Sequence, residues 1–370
     1  MTLFVWLGFL ALISALILLD LGVFHRRGRP IGFREALGWT AVWVALALAF
    51  AAGVYFLYER DWLGWTETAS HRLSGRQAAL QFLTGHLIEK ALSVDNLFVM
   101  ALIFSYFRVP AAEQHRLLFW GILGAVVLRG AMIAAGAALV ARFEWTMYVF
   151  GVLLIASALK LLLVRADELH PDRNLLVRLV RRFVPVTSEY AGSRFVVKTP
   201  AGWAATPLVP ALILIESSDA MFAVDSIPAI FAVTRDPFLV FTSNVFAILG
   251  LRSLYFALAG LLDVFRHLKY SLVALLVFVG LKMLLAHRYP ISTLASLAVI
   301  GGILALGILV SLVEARRARA GACGGPAAGR RDQPPGAIPE PADCPTTGRS
   351  PRTRRASAET SLTPPDPEPR

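Results

Sequence analysis

The sequence has few charged residues and almost no cysteine. Only 16% of its 370 residues are charged, whereas 56% are hydrophobic, and the mean hydropathy is +0.63. This composition excludes an ordinary soluble globular domain and indicates a polytopic membrane protein. The two cysteines, Cys323 and Cys344, both follow the last apolar run, which excludes a disulfide framework and a buried thiolate metal site.

Other common features are also missing. The first apolar run, residues 2–24, lacks a basic start and a small-residue cleavage site, so it is read as a retained helix and not as a signal peptide. The chain lacks GxGD, HExxH and Ser–His patterns, and we therefore expect no enzymatic activity. The net charge of +11 does not indicate a nucleic-acid partner, because the Arg residues lie mostly in loops and near the C terminus, as membrane topology requires.

Long apolar runs predict an all-α polytopic membrane protein with about nine transmembrane helices. A helix needs roughly 20 residues to cross about 30 Å of hydrocarbon, and helices tolerate the Gly and Pro residues that interrupt these runs. The predicted spans lie near residues 2–24, 36–58, 78–107, 117–140, 144–164, 207–233, 238–262, 270–286 and 291–313.

Basic residues concentrate in alternate loops, beginning with HRRGRP after the first span. The positive-inside rule therefore predicts a multi-pass protein of the cell (inner or plasma) membrane, with its N terminus outside and its C terminus in the cytoplasm. Residues 165–206 are then a long cytoplasmic loop. Residues 314–370 are rich in Pro, Gly, Arg, Ser and Thr without apolar periodicity, which predicts a disordered cytoplasmic tail.

Three consecutive spans resemble three others. Ser93–Val99 (SVDNLFV) and Ser217–Ala223 (SSDAMFA) carry Ser, Asp and Phe in the same order. Arg129 follows the first segment at nearly the distance at which Arg252 follows the second. The next spans end in the similar motifs LKLLLVR and LKMLLAHR. Chance similarity among Leu-rich helices is the alternative explanation, but it does not account for the alignment of rare charges.

An odd number of spans separates the two copies, so they are predicted to lie upside down relative to each other. Residues 78–164 and 207–286 then form an inverted 3+3 helix repeat, with a binding site near the membrane midplane. Residues 1–77, which hold two spans, and residues 287–313, which hold the final span, are additions around this core.

The third predicted span carries polar groups within an apolar run. Ionisable groups at the bilayer centre cost roughly 2.5 to 3.5 kcal/mol each, so they are usually paired or face a polar cavity. At about 100° per residue, Glu89, Ser93 and Asn96 lie on one helix face, with His86 close to it. His86 is either a ligand or a core histidine. Asp95 is turned away from this face, so it is either a ligand on an irregular turn or the partner of an arginine.

The sixth predicted span, with the motif ESSDAMFAVDSIP, carries three more acids. Glu216 and Asp219 share a face, whereas Asp225 points nearly opposite to Glu216 in a straight helix. Pro228 cannot donate to the carbonyl of Val224, so we expect a kinked or opened turn beside Asp225. Carboxylate, amide, hydroxyl and freed carbonyl oxygens form a hard site suited to Mn²⁺, Mg²⁺ or Ca²⁺, with Mn²⁺ as the leading candidate.

A second interpretation of these acids is structural. They would then only neutralise the basic residues of the predicted spans as structural pairs. In a transporter, one or more of the acids would instead carry protons counter to the metal. The predicted supporting and charge-pairing residues are Ser93, Ser218, Arg129, Arg252 and Lys282. With Lys90, these spans hold four bases against five acids, which leaves little excess negative charge for a divalent ion. Either the acids and bases are segregated in space, or the basic residues act as internal counter-ions when the ion leaves.

Several long motifs resemble the TerC family of integral membrane proteins: LTGHLIEKALSVDNLFVMALIF, IESSDAMFAVDSIPAIFAVTRD, SNVFAILGLRSLYFAL and LDLGVFHR. The resemblance extends from residue 1 to about 312. It implies membership of the LysE-like transporter group, a link to tellurium resistance and, through Alx-like relatives, manganese export. It also implies a set of metal-site residues, which are Glu89, Asp95, Asn96, Glu216, Asp219 and Asp225.

Two functions follow from these features. The first is a transporter that exports a divalent metal cation, above all Mn²⁺, by alternating access; Mn²⁺ is then a substrate, and we expect no tightly bound cofactor. The alternative is a membrane scaffold, or an assembly or metallation factor, in a tellurite or metal stress module without transport of its own. The expected partners are the metal ion and the lipid bilayer, and homo-oligomerisation is left open.

Overall fold

Helices dominate the structure, which is a computed structural model that describes residues 2–25, 33–60, 73–163, 185–258 and 268–323, apart from residues 188, 193, 201, 287 and 290. The helices are α1 (Thr2–His25), α2 (Phe33–Glu59), α3 (Gly75–Tyr106), α4 (Ala111–Arg142), α5 (Thr146–Leu163), α6 (Leu208–Phe231), α7 (Pro237–Leu249), α8 (Leu251–Leu258), α9 (Leu268–Leu285) and α10 (Thr293–Cys323). Each predicted span coincides with one helix, or with the pair α7 and α8. The predicted all-α polytopic fold is therefore confirmed.

Five of these segments are long and apolar enough to cross a membrane, as judged by length and composition. They are Arg34–Glu59, Ala112–Arg142, Thr146–Leu163, Pro237–Ala257 and Thr293–Ser311. The segment Pro237–Ala257 is mostly buried inside the protein, whereas the other four expose most of their surface. Helix pair α7–α8 is therefore a central element, and the more exposed helices present apolar side chains to the surrounding lipid.

Local sequence sets where two of the central helices begin. The hydroxyl of Ser74 accepts a hydrogen bond from the backbone of Gln77, and the Gln77 side chain accepts one from the backbone of Ser74, which forms a capping box at the start of α3. Asp236 caps α7 by accepting from the backbone of Phe238 at 2.9 Å. Tyr58 on α2 donates to the same Asp236 carboxylate at 2.6 Å, which fixes α2 against the start of α7.

The helices that carry the predicted acids pack against each other. Helix α3 contacts α2, α6 and α7, and helix α4 contacts α6 and α7. Helices α5 and α9 form another close pair, in which a Cβ atom added to Gly280 would lie 3.0 Å from the carbonyl oxygen of Gly151. Small residues allow helix backbones to approach this closely in membranes. Helices α3, α4, α6 and α7 are thus the group that positions the candidate site.

The predicted helix break beside Asp225 is wrong. Helix α6 runs from Leu208 to Phe231 with Pro228 inside it. A proline removes one backbone donor, but Ile227, Ala229 and Ile230 are buried on both sides of it, and this packing holds the helix together. The interruption lies instead in the seventh span, at Gly250 between α7 and α8.

Two further boundaries differ from the sequence prediction. Helix α10 continues to Cys323, beyond residue 313, where the tail was predicted to begin; residues 324–370 lie outside the described part. The predicted loop 165–206 contains an antiparallel hairpin of strands β1 (Val196–Thr199) and β2 (Gly202–Ala205), in which Lys198 pairs with Trp203. The inverted repeat and the orientation of the termini stay predictions.

Candidate ion-binding site

The most deeply buried basic side chain among the described residues is Arg129 on α4, which is 1% exposed. Its Nε atom lies 3.0 Å from Oδ2 of Asp219 on α6, and its Nη2 atom lies 2.7 Å from Oδ1 of the same carboxylate. Its Nη1 atom donates to Oε1 of Glu89 on α3. One guanidinium therefore bridges two carboxylates from two different helices, and it binds one of them in the bidentate geometry that Arg favours.

Polar side chains surround this ion pair. Asn244 on α7 donates to Oε2 of Glu89 at 3.2 Å, and Asn96 on α3 donates to Oδ1 of Asp219 at 3.4 Å. The Oγ atom of Ser226 on α6 lies 3.4 Å from Nη1 of Arg129. We call this group the Arg129 cluster; it consists of Glu89, Asn96, Arg129, Asp219, Ser226 and Asn244, and every member is at most 4% exposed.

The formal charge of the Arg129 cluster is negative. Two carboxylates contribute −2 and one guanidinium contributes +1, which leaves −1. In a low-dielectric interior such charges persist only when they are paired and hydrogen-bonded, because burying an isolated charge is very costly. The cluster therefore has the electrostatic character of a cation site in which a protein cation, Arg129, lies between the acids.

Three oxygen atoms on α3 are buried without a hydrogen-bond partner among the described residues, and two of them, Oγ of Ser93 and Oδ1 of Asn96, lie on the face that carries Glu89. Ser93 and Asn96 follow Glu89 by four and seven residues, so they lie on the same helix face about one and two turns beyond it. Buried polar atoms are nearly always satisfied by a partner, water or an ion. These two oxygens are therefore available to contact a ligand, and Asn96 places one of them next to Asp219.

Glu216 lies beside the Arg129 cluster. It is half-buried, precedes Asp219 by three residues on α6, and is close enough to interact electrostatically with that carboxylate. A Cβ atom added to Gly124 on α4 would overlap the Glu216 carboxylate, so the glycine makes the space that this side chain occupies. Glu216 is thus the less buried acid next to the fully buried pair.

Asp225 is separated from the other acids. Its carboxylate accepts a hydrogen bond from Oγ of Ser157 on α5 at 2.5 Å, and Lys160 lies close enough to interact with it. Asp225 is nine residues from Glu216 on a continuous helix, which puts the two on opposite sides of α6, and Asp225 contacts α5. The side chain of Asp95 lies outside the described part of the structure.

The remaining sequence-predicted residues lie outside the Arg129 cluster. Ser218 donates to the carbonyl of Leu214 within its own helix at 2.8 Å. Arg252 on α8 is buried and lies 3.2 Å from Nδ1 of His115. Lys282 on α9 is half-buried, and His86 stacks on Phe82 with ring centroids 6.2 Å apart, which agrees with a core histidine.

Sequence reasoning missed two members of the cluster, Ser226 and Asn244. Ser226 follows Asp219 by seven residues, which is two helical turns, so the period of the helix already puts both on one face. Asn244 is a polar residue in the most buried of the apolar segments, and its burial at 0% exposed requires a partner, which is Glu89. Both signals were present in the sequence, but only the tertiary contacts show what they bind.

Lys90 has a different role from its neighbour Glu89. Its Nζ atom donates to the carbonyl of Ala247 at 2.9 Å. In an uninterrupted helix that carbonyl would accept from the backbone N–H of Leu251, but the interruption at Gly250 frees it. A Cβ atom added to Gly250 would lie 2.6 Å from Nζ of Lys90, so a larger residue here would force the ammonium group to move.

Within the described residues, no three His, Cys, Asp or Glu side chains are grouped closely enough to hold a metal ion. The acids of the Arg129 cluster are paired with the guanidinium and accept further hydrogen bonds from the amide nitrogens of Asn96 and Asn244. A metal would therefore have to share the site with Arg129 or displace it.

The fold and this cluster define a class: a multi-pass, all-α integral membrane protein with an ionic site buried between its helices. The model of the integral membrane protein TerC family matches residues 74–319, and the chain belongs to that family. The resemblance seen in the sequence is confirmed.

Curated relatives extend over most of this chain. An uncharacterized membrane protein of Myxococcus xanthus is 51% identical over 313 residues, which cover 85% of this chain and 93% of the relative. A protein of Escherichia coli (strain K12) named membrane-bound redox modulator Alx is 45% identical over 307 residues, 83% of this chain and 93% of the relative. An uncharacterized membrane protein of Rickettsia felis is 38% identical over 309 residues, which cover 84% of this chain and 97% of the relative. No solved structure matches the chain.

Proposed function

We propose that this protein exports a divalent metal cation, above all Mn²⁺, from the cell by alternating access. The observation that carries the proposal is the sharing of Arg129 by Glu89 and Asp219, two buried carboxylates on different helices. Ionisable groups at this depth are costly and mark ion pathways in membrane proteins. In this proposal the protein lies in the inner or plasma membrane with its N terminus outside and its C terminus in the cytoplasm.

The donor set suits a hard cation. Asp219, Glu216 and Glu89 are not grouped closely enough in this structure to hold a metal, so they would have to move together to supply carboxylate oxygens, and the unpartnered oxygens of Asn96 and Ser93 would complete the coordination. Oxygen ligands without thiolates favour Mn²⁺, Mg²⁺ or Ca²⁺ over Zn²⁺ and Cu⁺. Asp95 and Asp225, which the family resemblance also implies, would act elsewhere on the pathway or in coupling, because Asp225 pairs with Ser157.

Arg129 would be the internal counter-ion of the transport cycle. A divalent metal ion and the Arg129 guanidinium would repel each other strongly if both contacted the same two carboxylates. Metal binding would therefore require Arg129 to leave at least one carboxylate, and its return would expel the metal. This exchange keeps the buried carboxylates paired in both states, which avoids the cost of leaving them isolated.

The helix contacts support the inverted repeat that alternating access requires. In the proposed repeat, α3 corresponds to α6, α4 to the pair α7–α8, and α5 to α9. The contact between α3 and α7 in one direction then corresponds to the contact between α6 and α4 in the other. Both of these contacts are extensive, and the α5–α9 contact maps onto itself. Two similar halves around a central site are the arrangement from which alternating access arises.

The proposal is tested in cells that lack their own manganese exporters. Expression of the protein should restore growth in high Mn²⁺ and lower the manganese content of the cells. Asp219→Asn should behave like the empty vector, whereas the exposed Glu189→Gln should behave like the wild type at equal expression. Unchanged Mn²⁺ sensitivity and unchanged cellular manganese with the wild-type protein would refute the proposal.

Two observations favour the alternative, a membrane scaffold or an assembly or metallation factor in a tellurite or metal stress module. No three metal-ligating side chains of the types His, Cys, Asp and Glu meet within the described residues, and several relatives are named for redox modulation. A tellurite or metal phenotype that survives neutralisation of Glu89, Glu216 and Asp219 together would favour this alternative, because a scaffold has no need of their charges.

A further inference from the structure

The β1–β2 hairpin exposes apolar and basic side chains outside the membrane spans. Val196 is 48% exposed and Trp203 is 69% exposed, and Lys198, which pairs with Trp203 across the strands, is exposed on the same face. The exposed apolar surface of the spanning helices is explained by lipid. The hairpin lies between α5 and α6 and not within a span, so its exposed tryptophan requires another explanation.

Phe195, the residue before β1, packs against the N-terminal part of α4. Helix α4 has 32 residues and is about 48 Å long, more than the roughly 30 Å of the hydrocarbon core. Its first two turns are polar, and the apolar stretch begins at Leu117. Phe195, next to β1, contacts the ring of Trp120 at 6.4 Å, and the Arg116 guanidinium lies 5.1 Å from the Phe195 ring centroid. These contacts hold the start of the hairpin next to the residues where the apolar stretch of α4 begins.

The segment around the hairpin is held in place by hydrogen bonds. The hydroxyl of Tyr190 donates to the carbonyl of Phe107 at 2.6 Å, at the end of α3. The hydroxyl of Thr206 donates to the carbonyl of Arg194 at 2.8 Å, immediately before α6. The hairpin is therefore anchored to the ends of two helices, and its outward face keeps a defined position relative to the membrane surface.

Basic residues exceed acidic ones in this region. Within residues 107–120 and 185–206, as far as they are described, the basic residues are Arg108, Arg116, Arg194 and Lys198, and the acidic residues are Glu113 and Glu189. Tryptophan prefers the interface between headgroups and acyl chains, and basic side chains near it attract anionic lipids.

We propose that the outward face of the β1–β2 hairpin lies in the membrane interface and binds anionic phospholipid headgroups. Trp203 and Val196 lie at the boundary of the acyl chains, and Arg116, Arg194 and Lys198 contact the headgroup phosphates. The occupant is the lipid surface and not a second protein, because the hairpin is attached to the boundary turn of a spanning helix. This proposal is independent of metal transport.

A fluorescent label on the hairpin tests the proposal. The full-length chain with Trp203→Cys, Cys323→Ser and Cys344→Ser is labelled with an environment-sensitive dye and reconstituted into phosphatidylcholine bilayers with or without phosphatidylglycerol. We expect a blue-shifted emission that lipid-borne quenchers reduce, and a larger effect with phosphatidylglycerol. The matched control carries the label at Glu189→Cys, off the hairpin face, where the lipid-borne quenchers should have little effect.

Charge variants complete the test. Arg194→Gln with Lys198→Gln should weaken the preference for phosphatidylglycerol, by about fivefold for each charge, as the typical contribution of one basic residue near an anionic surface predicts. High salt should do the same. Glu113→Gln with Glu189→Gln should not weaken it. A label at position 203 that stays in water, or quenching that does not depend on phosphatidylglycerol or on the two basic residues, would overturn the proposal.

Discussion

Arg129 offers the sharpest test of how the buried site is built. The change is Arg129→Gln, which removes the positive charge but keeps a polar side chain. In the wild type, Glu89 and Asp219 are 0% and 4% exposed, and Arg129 contacts three of their oxygen atoms. Removing one partner of a buried charge pair typically costs about 3 to 5 kcal/mol, because the remaining charge is left without compensation.

The expected loss is therefore about 3 to 5 kcal/mol in the free energy of unfolding, at the upper end because two carboxylates lose their partner. The assay is equilibrium unfolding in mixed micelles, followed by circular dichroism at neutral pH. Neutralising both acids as well, in a chain that carries Arg129→Gln, Glu89→Gln and Asp219→Asn, should recover most of this loss. Arg252→Gln serves as the control, since Arg252 is also buried but lies outside the cluster.

Metal binding adds a second readout to the same variant. If Arg129 and the metal compete for the carboxylates, Mn²⁺ should stabilise Arg129→Gln more than the wild type. A ligand at about 100 times its dissociation constant contributes about 2.7 kcal/mol to the stability of the state that binds it. The reasoning is refuted if Arg129→Gln is as stable as the wild type, or if the triple variant is no more stable than the single one. Equal stabilisation of both proteins by Mn²⁺ would refute the competition alone.

Three further predictions concern the surroundings of the site. Gly250→Ala should cost about 1 to 3 kcal/mol of unfolding free energy through overpacking against the Lys90 ammonium, and adding Lys90→Ala should recover part of this loss; strictly additive effects would contradict the contact. Ser74→Ala should cost about 1 kcal/mol in the same unfolding assay because the capping box of α3 is lost, and an unchanged midpoint would argue against it. Asp225→Asn should be additive with Arg129→Gln in unfolding free energy to within about 0.5 kcal/mol, because Asp225 lies outside the cluster; a larger coupling would show that the two sites communicate.

Hydropathy predicted the helices well for a simple physical reason. A helix in lipid must satisfy its backbone internally and present apolar side chains, so the length and composition of each run indicate the helix directly. Helix periodicity also predicted that Glu89, Ser93 and Asn96 share a face, and the structure buries all three on α3. The separate placement of Asp225 followed from the same period, because α6 is continuous through this residue.

The errors arose where packing decides between local options. Proline at position 228 weakens a helix locally, and the sequence alone indicated an opened turn there. Buried neighbours hold α6 together, while the seventh span is interrupted at Gly250, where Lys90 satisfies the freed carbonyl of Ala247. The hairpin was missed because its strands have four residues each, too few for a clear alternating pattern.

The sequence by itself determined the class of the protein, its spans, and the presence of costly acids and bases within them. These properties depend on composition and on the period of a single helix, and both can be read from residues that are close together in the sequence. Only the tertiary structure decided which charges meet: Arg129 joins Glu89 and Asp219, Lys90 binds a helix end, and Asp225 pairs with Ser157. Pairing depends on distances between residues far apart in sequence, which the packing of α3, α4, α6 and α7 sets.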